Sequence, residues 1–260
     1  MARLSRQGNE RAISFDEVAL RTPDGRPILE NIQLEIPRGT VTALLGRSGS
    51  GKTTLLRMVN RMVEPTSGRV MVDGRPTTSW DPIALRRSIG YVIQETGLFP
   101  HFDVERNVGM VPEVAGRPKP EIAARVRQLF TLVGLEQEVF GHRMPHQLSG
   151  GQRQRVGLAR ALAAEPDVLL MDEPFGALDP LSRAEMQDML RELLGRLHKT
   201  VLLVTHDLDE ALYLASRIVF LEAGKIVAVL PAEEFLHSEI PAVKSYVRAV
   251  RRGNAPRPED

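Results

Sequence analysis

The 260-residue chain has no cysteine, which excludes disulfides, thiolate metal sites and a cysteine nucleophile, and fits a reducing compartment. Charge of one sign is also missing: 34 Lys and Arg against 33 Asp and Glu leave a net charge of +1. No global field therefore recruits nucleic acid or an anionic membrane. No stretch approaches the ~18 consecutive apolar residues of a membrane span, and the opening "MARLSRQGNER" lacks the apolar centre of a signal peptide. What remains is a chain that is 42% apolar and long enough for a well-buried core, in one large domain or two small ones.

The apolar residues carry two periods. "NIQLEI" alternates Ile32, Leu34 and Ile36 with polar residues, as a half-buried strand does, whereas "VTALL" (41–45) is a continuous apolar run suited to a buried parallel strand. Similar short runs occur at 91–93, 168–171, 201–204 and 218–221, the last meeting "AGKIVAV" as an expected hairpin. Helical spacing appears at Leu55, Leu56, Val59, Met62 and Val63, again at Ile122, Val126, Leu129, Phe130 and Val133, and from Ser182 through Met186, Met189, Leu190, Leu193, Leu194 and Leu197. The expectation is an α/β domain over 12–245 with a helical insert at about 96–160. Residues 1–11 and 246–260 are expected to be flexible, the latter because of the Pro, Gly and charge content of "RRGNAPRPED".

"GRSGSGKTT" (46–54) follows one such strand and opens a helix, the context that makes a glycine pattern a phosphate-binding loop. Gly46, Arg47, Ser48, Gly49, Ser50, Gly51, Lys52, Thr53 and Thr54 are its candidate binding residues. The glycines let successive amides converge on phosphate oxygens, and the helix start adds its positive end. Lys52 is expected to reach the β and γ phosphates, and the Thr53 hydroxyl to ligate Mg²⁺. "VLLMDEP" delivers Asp172 and Glu173 at a strand's C-terminal end, Asp172 as a second metal residue and Glu173 as the base that activates water. His206 and Gln94 also end apolar runs, His206 as a γ-phosphate contact and Gln94 as a contact to Mg²⁺ or water.

A second glycine segment, "LSGGQ" (148–152), starts another helix. Ser149 and Gln152 have capping-box spacing, but a capping box does not call for two glycines between its partners. Bare backbone at a helix start suits close approach by an anion. Arg153, Arg155 and Arg160 follow without interleaved aromatics, so a solvated or nucleotide-facing surface is expected and no nucleic acid.

Together, "GRSGSGKTT", "LSGGQRQR", "VLLMDEP", "FGALD" and "THD", in this order, resemble the nucleotide-binding subunit of ABC transporters over roughly residues 11–245. The resemblance implies a P-loop NTPase core with a small antiparallel β subdomain and a helical subdomain. It also implies ATP and Mg²⁺ as cofactors and a head-to-tail dimer in which Ser149, Gly150, Gly151 and Gln152 close over the partner copy's nucleotide. Asp179 would then lie at the dimer contact, His206 would hold the γ-phosphate and Gln94 would couple the site to a membrane permease. One position departs from the pattern: Thr22 stands where such chains carry an aromatic residue to stack on adenine.

A single nucleotide site without a long coiled coil favours transport over the soluble ABC ATPases. "RMPHQLSGGQ", "RRSIGYVIQETGLFPHFDVERNVGMVP" and "MDEPFGALDPLSR" are similar to the ATPase of importers of quaternary-amine osmoprotectants such as glycine betaine, carnitine or choline. The resemblance implies separate permease subunits, an indirectly contacted solute-binding protein, and a peripheral position on the cytoplasmic face of the plasma membrane. It implies no C-terminal regulatory domain in the few residues after Val250. Import of amino acids or another small solute is the alternative cargo. A nucleotide-binding regulator without hydrolysis is opposed by intact Lys52, Asp172, Glu173 and His206.

Overall fold

A computed structural model of the chain describes residues 11–94 and 96–253. In chain order, strands β1 (Arg11–Arg21), β2 (Pro27–Pro37) and β3 (Val41–Leu45) lead into helix α1 (Lys52–Val59). Strands β4 (Ser67–Val72) and β5 (Arg75–Pro76), helix α2 (Pro82–Ser88) and strand β6 (Ile89–Val92) follow. Next come four helices, α3 (Val104–Val114), α4 (Lys119–Leu132), α5 (Gln137–Phe140) and α6 (Gly150–Leu162). The chain then alternates through β7 (Val168–Asp172), α7 (Pro180–Leu197), β8 (Thr200–Thr205), α8 (Leu208–Leu214) and β9 (Arg217–Glu222). It continues with β10 (Lys225–Pro231), α9 (Ala232–Phe235) and α10 (Pro241–Gly253).

The strands form two sheets. An antiparallel sheet has the order β2-β1-β4-β5, and a six-stranded sheet has the order β10-β9-β3-β8-β7-β6, parallel except for the β9–β10 hairpin. The continuous apolar runs have a direct cause, since the central strands are covered on both faces. Leu44, Val168, Leu170, Leu202 and Val204 face the core shared with α1 and the antiparallel sheet. Their alternates Leu169, Met171, Val201 and Leu203 face the core built with α3, α4, α6 and α7. A third core joins Ala43, Leu45 and Phe220 to α8, α9 and α10.

Local chemistry sets the helix ends. Asp103, Ser149, Asp179 and Asp207 each accept backbone amides at the starts of α3, α6, α7 and α8. The Met/Leu stripe of α7 is core, with Met186, Leu190, Leu193 and Leu194 buried.

The C-terminal expectation needs correction. Residues 246–253 are not a flexible tail: α10 runs to Gly253 and buries Val243, Tyr246 and Val247 against the third core. The stripe Val243, Tyr246, Val247 and Val250 has helical spacing, and burial of that face outweighs the polar residues around it. At the other end Arg11 already opens β1, while 1–10 and 254–260 fall outside the described residues.

Candidate functional site

Strand order, rather than sequence order, builds the site. The neighbours β3, β8, β7 and β6 point the same way, so the loop 46–51, His206, Asp172 with Glu173, and Gln94 follow their C-terminal ends side by side. This is the edge at which open α/β sheets bind ligands.

At the end of β3 the chain doubles back through Gly46 at φ 156°, Gly49 at 77° and Gly51 at 101° before entering α1. A Cβ on Gly46 would stand 2.1 Å from the Leu221 carbonyl oxygen, and one on Gly51 would stand 2.6 Å from Leu29 Cδ2. The loop is therefore shaped by contacts inside this chain. Lys52 is buried, and its ammonium donates to the carbonyls of Gly46 (2.8 Å) and Arg47 (3.0 Å). That leaves one of its three protons for an anion. Burial lowers the Lys52 pKa, and the charges of Glu173 and Asp172 work against the shift. Ser50 Oγ is buried without a hydrogen-bond partner, an orphaned hydroxyl at the same loop. Arg47, Ser48 and Gly49 are exposed, and Thr54 is half-buried on α1.

Asp172 is buried at the end of β7 and satisfied on both oxygens. Thr53 donates its hydroxyl to Oδ1 at 2.8 Å, and the Tyr91 hydroxyl (3.4 Å) and Arg57 Nη2 (3.7 Å) approach Oδ2. Arg57 Nε also lies 3.4 Å from Tyr91 Oη, a contact that raises the Arg57 pKa, while burial raises that of Tyr91. Glu173 adopts left-handed φ 47° and donates its amide to the Val204 carbonyl at 2.9 Å. Its Oε2 accepts from Gln94 Nε2 at 3.4 Å and lies 3.3 Å from His206 Nδ1. Thr53, Asp172 and the Gln94 amide oxygen supply hard oxygen donors, the set that suits Mg²⁺. Among the described residues no group of three or more His, Cys, Asp or Glu could hold a metal by itself.

The second glycine segment lies elsewhere. Ser149 Oγ accepts from the Gln152 amide at 3.2 Å, and Gln152 Oε1 accepts from the Ser149 amide at 2.9 Å, a complete capping box. Among the described residues beyond its own helix, a Cβ on Gly150 would find only Leu178 Cδ2 (3.5 Å) and the Ala177 oxygen (3.9 Å) within 4 Å. One on Gly151 would find only Ser182. The segment therefore packs beside the turn that carries Asp179, not against 46–54.

Several sequence expectations change in detail. Arg153, Arg155 and Arg160 are not a solvated or nucleotide-facing row: they donate to the carbonyls of Leu148, Val133, Thr96 and Gly97 at 2.7–2.8 Å. Thr22 closes the β1–β2 hairpin, its hydroxyl donating to the Arg26 carbonyl and accepting from the Arg26 amide. Sequence reasoning missed Arg57 and Tyr91, although Arg57 shares a helix face with Thr53 at i,i+4. It also missed Gln154, which donates to the Gln94 carbonyl at 3.2 Å.

With this geometry established, the comparisons are direct. The ABC transporter family matches residues 29–176, more than half the chain. The chain belongs to the ABC transporter family. Among ABC proteins it is 45% identical over 236 residues to the choline transport ATP-binding protein OpuBA of Bacillus subtilis, covering 88% of this chain and 62% of that one. It is 46% identical over 226 residues to the glycine betaine/carnitine/choline transport ATP-binding protein OpuCA of the same organism, covering 87% and 59%. The chain thus spans about three-fifths of the length of these curated relatives. The solved dimeric ATP-binding cassette MJ0796, in a post-hydrolysis state with ADP and Pi, superposes with a TM-score of 0.75 at 32% identity, covering 85% of this chain and 98% of the other.

Proposed function

We propose that this chain is the ATP-hydrolysing subunit of an ABC importer for a small quaternary-amine osmoprotectant, acting through separate permease subunits at the cytoplasmic face of the plasma membrane. The observation that carries the reading is the convergence of the ends of β3, β8, β7 and β6 on one edge. The choline and glycine betaine transport roles of the relatives support the cargo. Among the described residues no helix is long and apolar enough to cross a membrane, which supports the need for separate permease chains.

In this reading the amides of 46–54 cradle the phosphates of ATP, and Lys52 holds the β and γ groups. Thr53, Asp172 and Gln94 would hold Mg²⁺, which neutralises phosphate charge. Glu173 accepts the proton of the attacking water, and His206, already beside the Glu173 carboxylate, contacts the γ-phosphate. Positioning and charge stabilisation suffice for phosphoryl transfer to water, so no covalent intermediate is needed. Ser149, Gly150, Gly151 and Gln152 complete the site from a second copy packed head to tail, with Asp179 at the contact. The dimeric cassette among the structural neighbours supports that assembly. Closure on ATP and separation after hydrolysis would drive the permease, which a solute-binding protein supplies. The nucleotide-binding domain in this reading includes α10. Thr22 leaves no ring at the usual adenine-stacking position, so the adenine would be held without that stack.

The test is phosphate release from MgATP by the purified chain, with Glu173→Gln expected to keep ATP binding and lower turnover about 10²- to 10⁴-fold. Near-normal turnover in that variant would remove Glu173 from the role, and a wild-type chain without turnover would overturn the reading. Uptake of labelled glycine betaine by membranes holding this chain and its copurifying permease, against other small solutes, tests the cargo.

A further inference from the structure

His206 is placed by its backbone rather than by side-chain packing. Its ring is 63% exposed, and among the described residues its ion-pair contact is with Glu173. The loop beneath it is held on two sides by its sequence neighbours. Thr205 Oγ1 donates to the buried Glu210 carboxylate at 2.6 Å and accepts from the Asp207 amide at 3.0 Å. Asp207 in turn caps α8, accepting from the amides of Asp209 and Glu210 at 2.8 and 3.2 Å.

The third restraint comes from 40 residues away, where Tyr246 on α10 donates its hydroxyl to the His206 carbonyl at 2.9 Å. Tyr246 is itself well fixed. It is 7% exposed, and its ring centroid lies 5.0 Å from that of Phe220 on β9, which meets Phe235 at 6.0 Å. Burial and the Asp207 charge push its hydroxyl up to about 12, with Arg47 of the phosphate loop acting the other way. The hydroxyl therefore keeps its proton and remains a donor at physiological pH.

We propose that Tyr246 is a positioning residue, which fixes the His206 backbone from α10 and thereby sets where the imidazole stands beside Glu173. The inference rests on the role of His206 proposed above. A carbonyl held from outside its own loop restricts rotation about the bond that orients the next peptide. The last described helix then supports the proposed nucleotide site through the His206 backbone.

Tyr246→Phe keeps the ring and its Phe220 contact and removes only the hydroxyl. It is expected to leave ATP affinity within about twofold and to lower kcat about threefold to tenfold, the scale of one lost hydrogen bond. In histidine side-chain ¹H–¹⁵N spectra, with the His206 signals assigned through His206→Ala, those signals should move. In a His206→Ala background the same change should have no further effect on kcat. Unmoved His206 signals, an unchanged kcat, or an equal loss without His206 would each overturn the proposal. If the wild-type chain releases no phosphate, the proposed function fails, and the His206 signals alone decide the positioning role.

Discussion

The two glycine segments, 46–51 and 150–151, look alike in sequence and differ in what demands them. Gly46, Gly49 and Gly51 have positive φ, and Gly46 and Gly51 leave no room for a Cβ. Backbone conformation within the protomer accounts for all three, with close contacts added at Gly46 and Gly51. Gly150 and Gly151 lie in α6 without positive φ, and a Cβ on either would meet its neighbours at ordinary distances of 3.5 Å or more. Among the described residues nothing requires glycine there, and glycine weakens a helix start. In the proposed reading the requirement comes from a second copy, whose bound ATP would approach α6 from outside.

The comparison can be broken by substitution, beginning with the largest effect. Gly46→Ala should cost about 2–4 kcal/mol of stability and abolish ATP binding, because a backbone oxygen and an unfavourable φ both oppose the methyl group. Chemical denaturation and nucleotide titration would read both. A mixture of Ser149→Arg and Lys52→Ala chains, each inactive alone, should regain one working interface per mixed dimer. No recovery in confirmed mixed dimers would place both segments on one protomer. Gly150→Ala should leave stability unchanged or raise it by up to about 1 kcal/mol, yet lower ATP turnover about tenfold or more through misplaced contacts. A loss of stability with turnover intact would reverse the distinction between the segments.

The smallest effect concerns Glu210. Burial raises its pKa, so the folded state gains from the bound proton below the ordinary carboxylate range and loses that gain as pH rises through the raised value. Glu210→Gln has no such titration. Its Tm should exceed that of wild type at pH 8, and the gap should close as the pH approaches 4. A gap independent of pH would mean that the ionised carboxylate costs nothing where it sits.

Much of this was legible because single residues carry unambiguous constraints. "VTALL" matches β3 at 41–45, since a run apolar on both faces can only be central. Ser149 and Gln152 form the capping box their spacing implies. β1 was not legible: its register slips between Phe15 and Val18, where Glu17 takes φ 50° against Gly68, and the alternation that marks a strand is lost. The links Tyr91–Asp172 and Tyr246–His206 join distant elements, and no local pattern announces them. The α10 stripe has helical spacing, but the charged, Pro- and Gly-containing sequence that follows it masks that signal locally.

Glu173 occupies backbone space that glycine or asparagine would fill with less strain, at the position where the proposed reading places its base. Stability alone would favour glycine or asparagine at that turn. If residue 173 carries the proposed role, a chain relieved of that role would gain by losing the acid there before its phosphate loop changed.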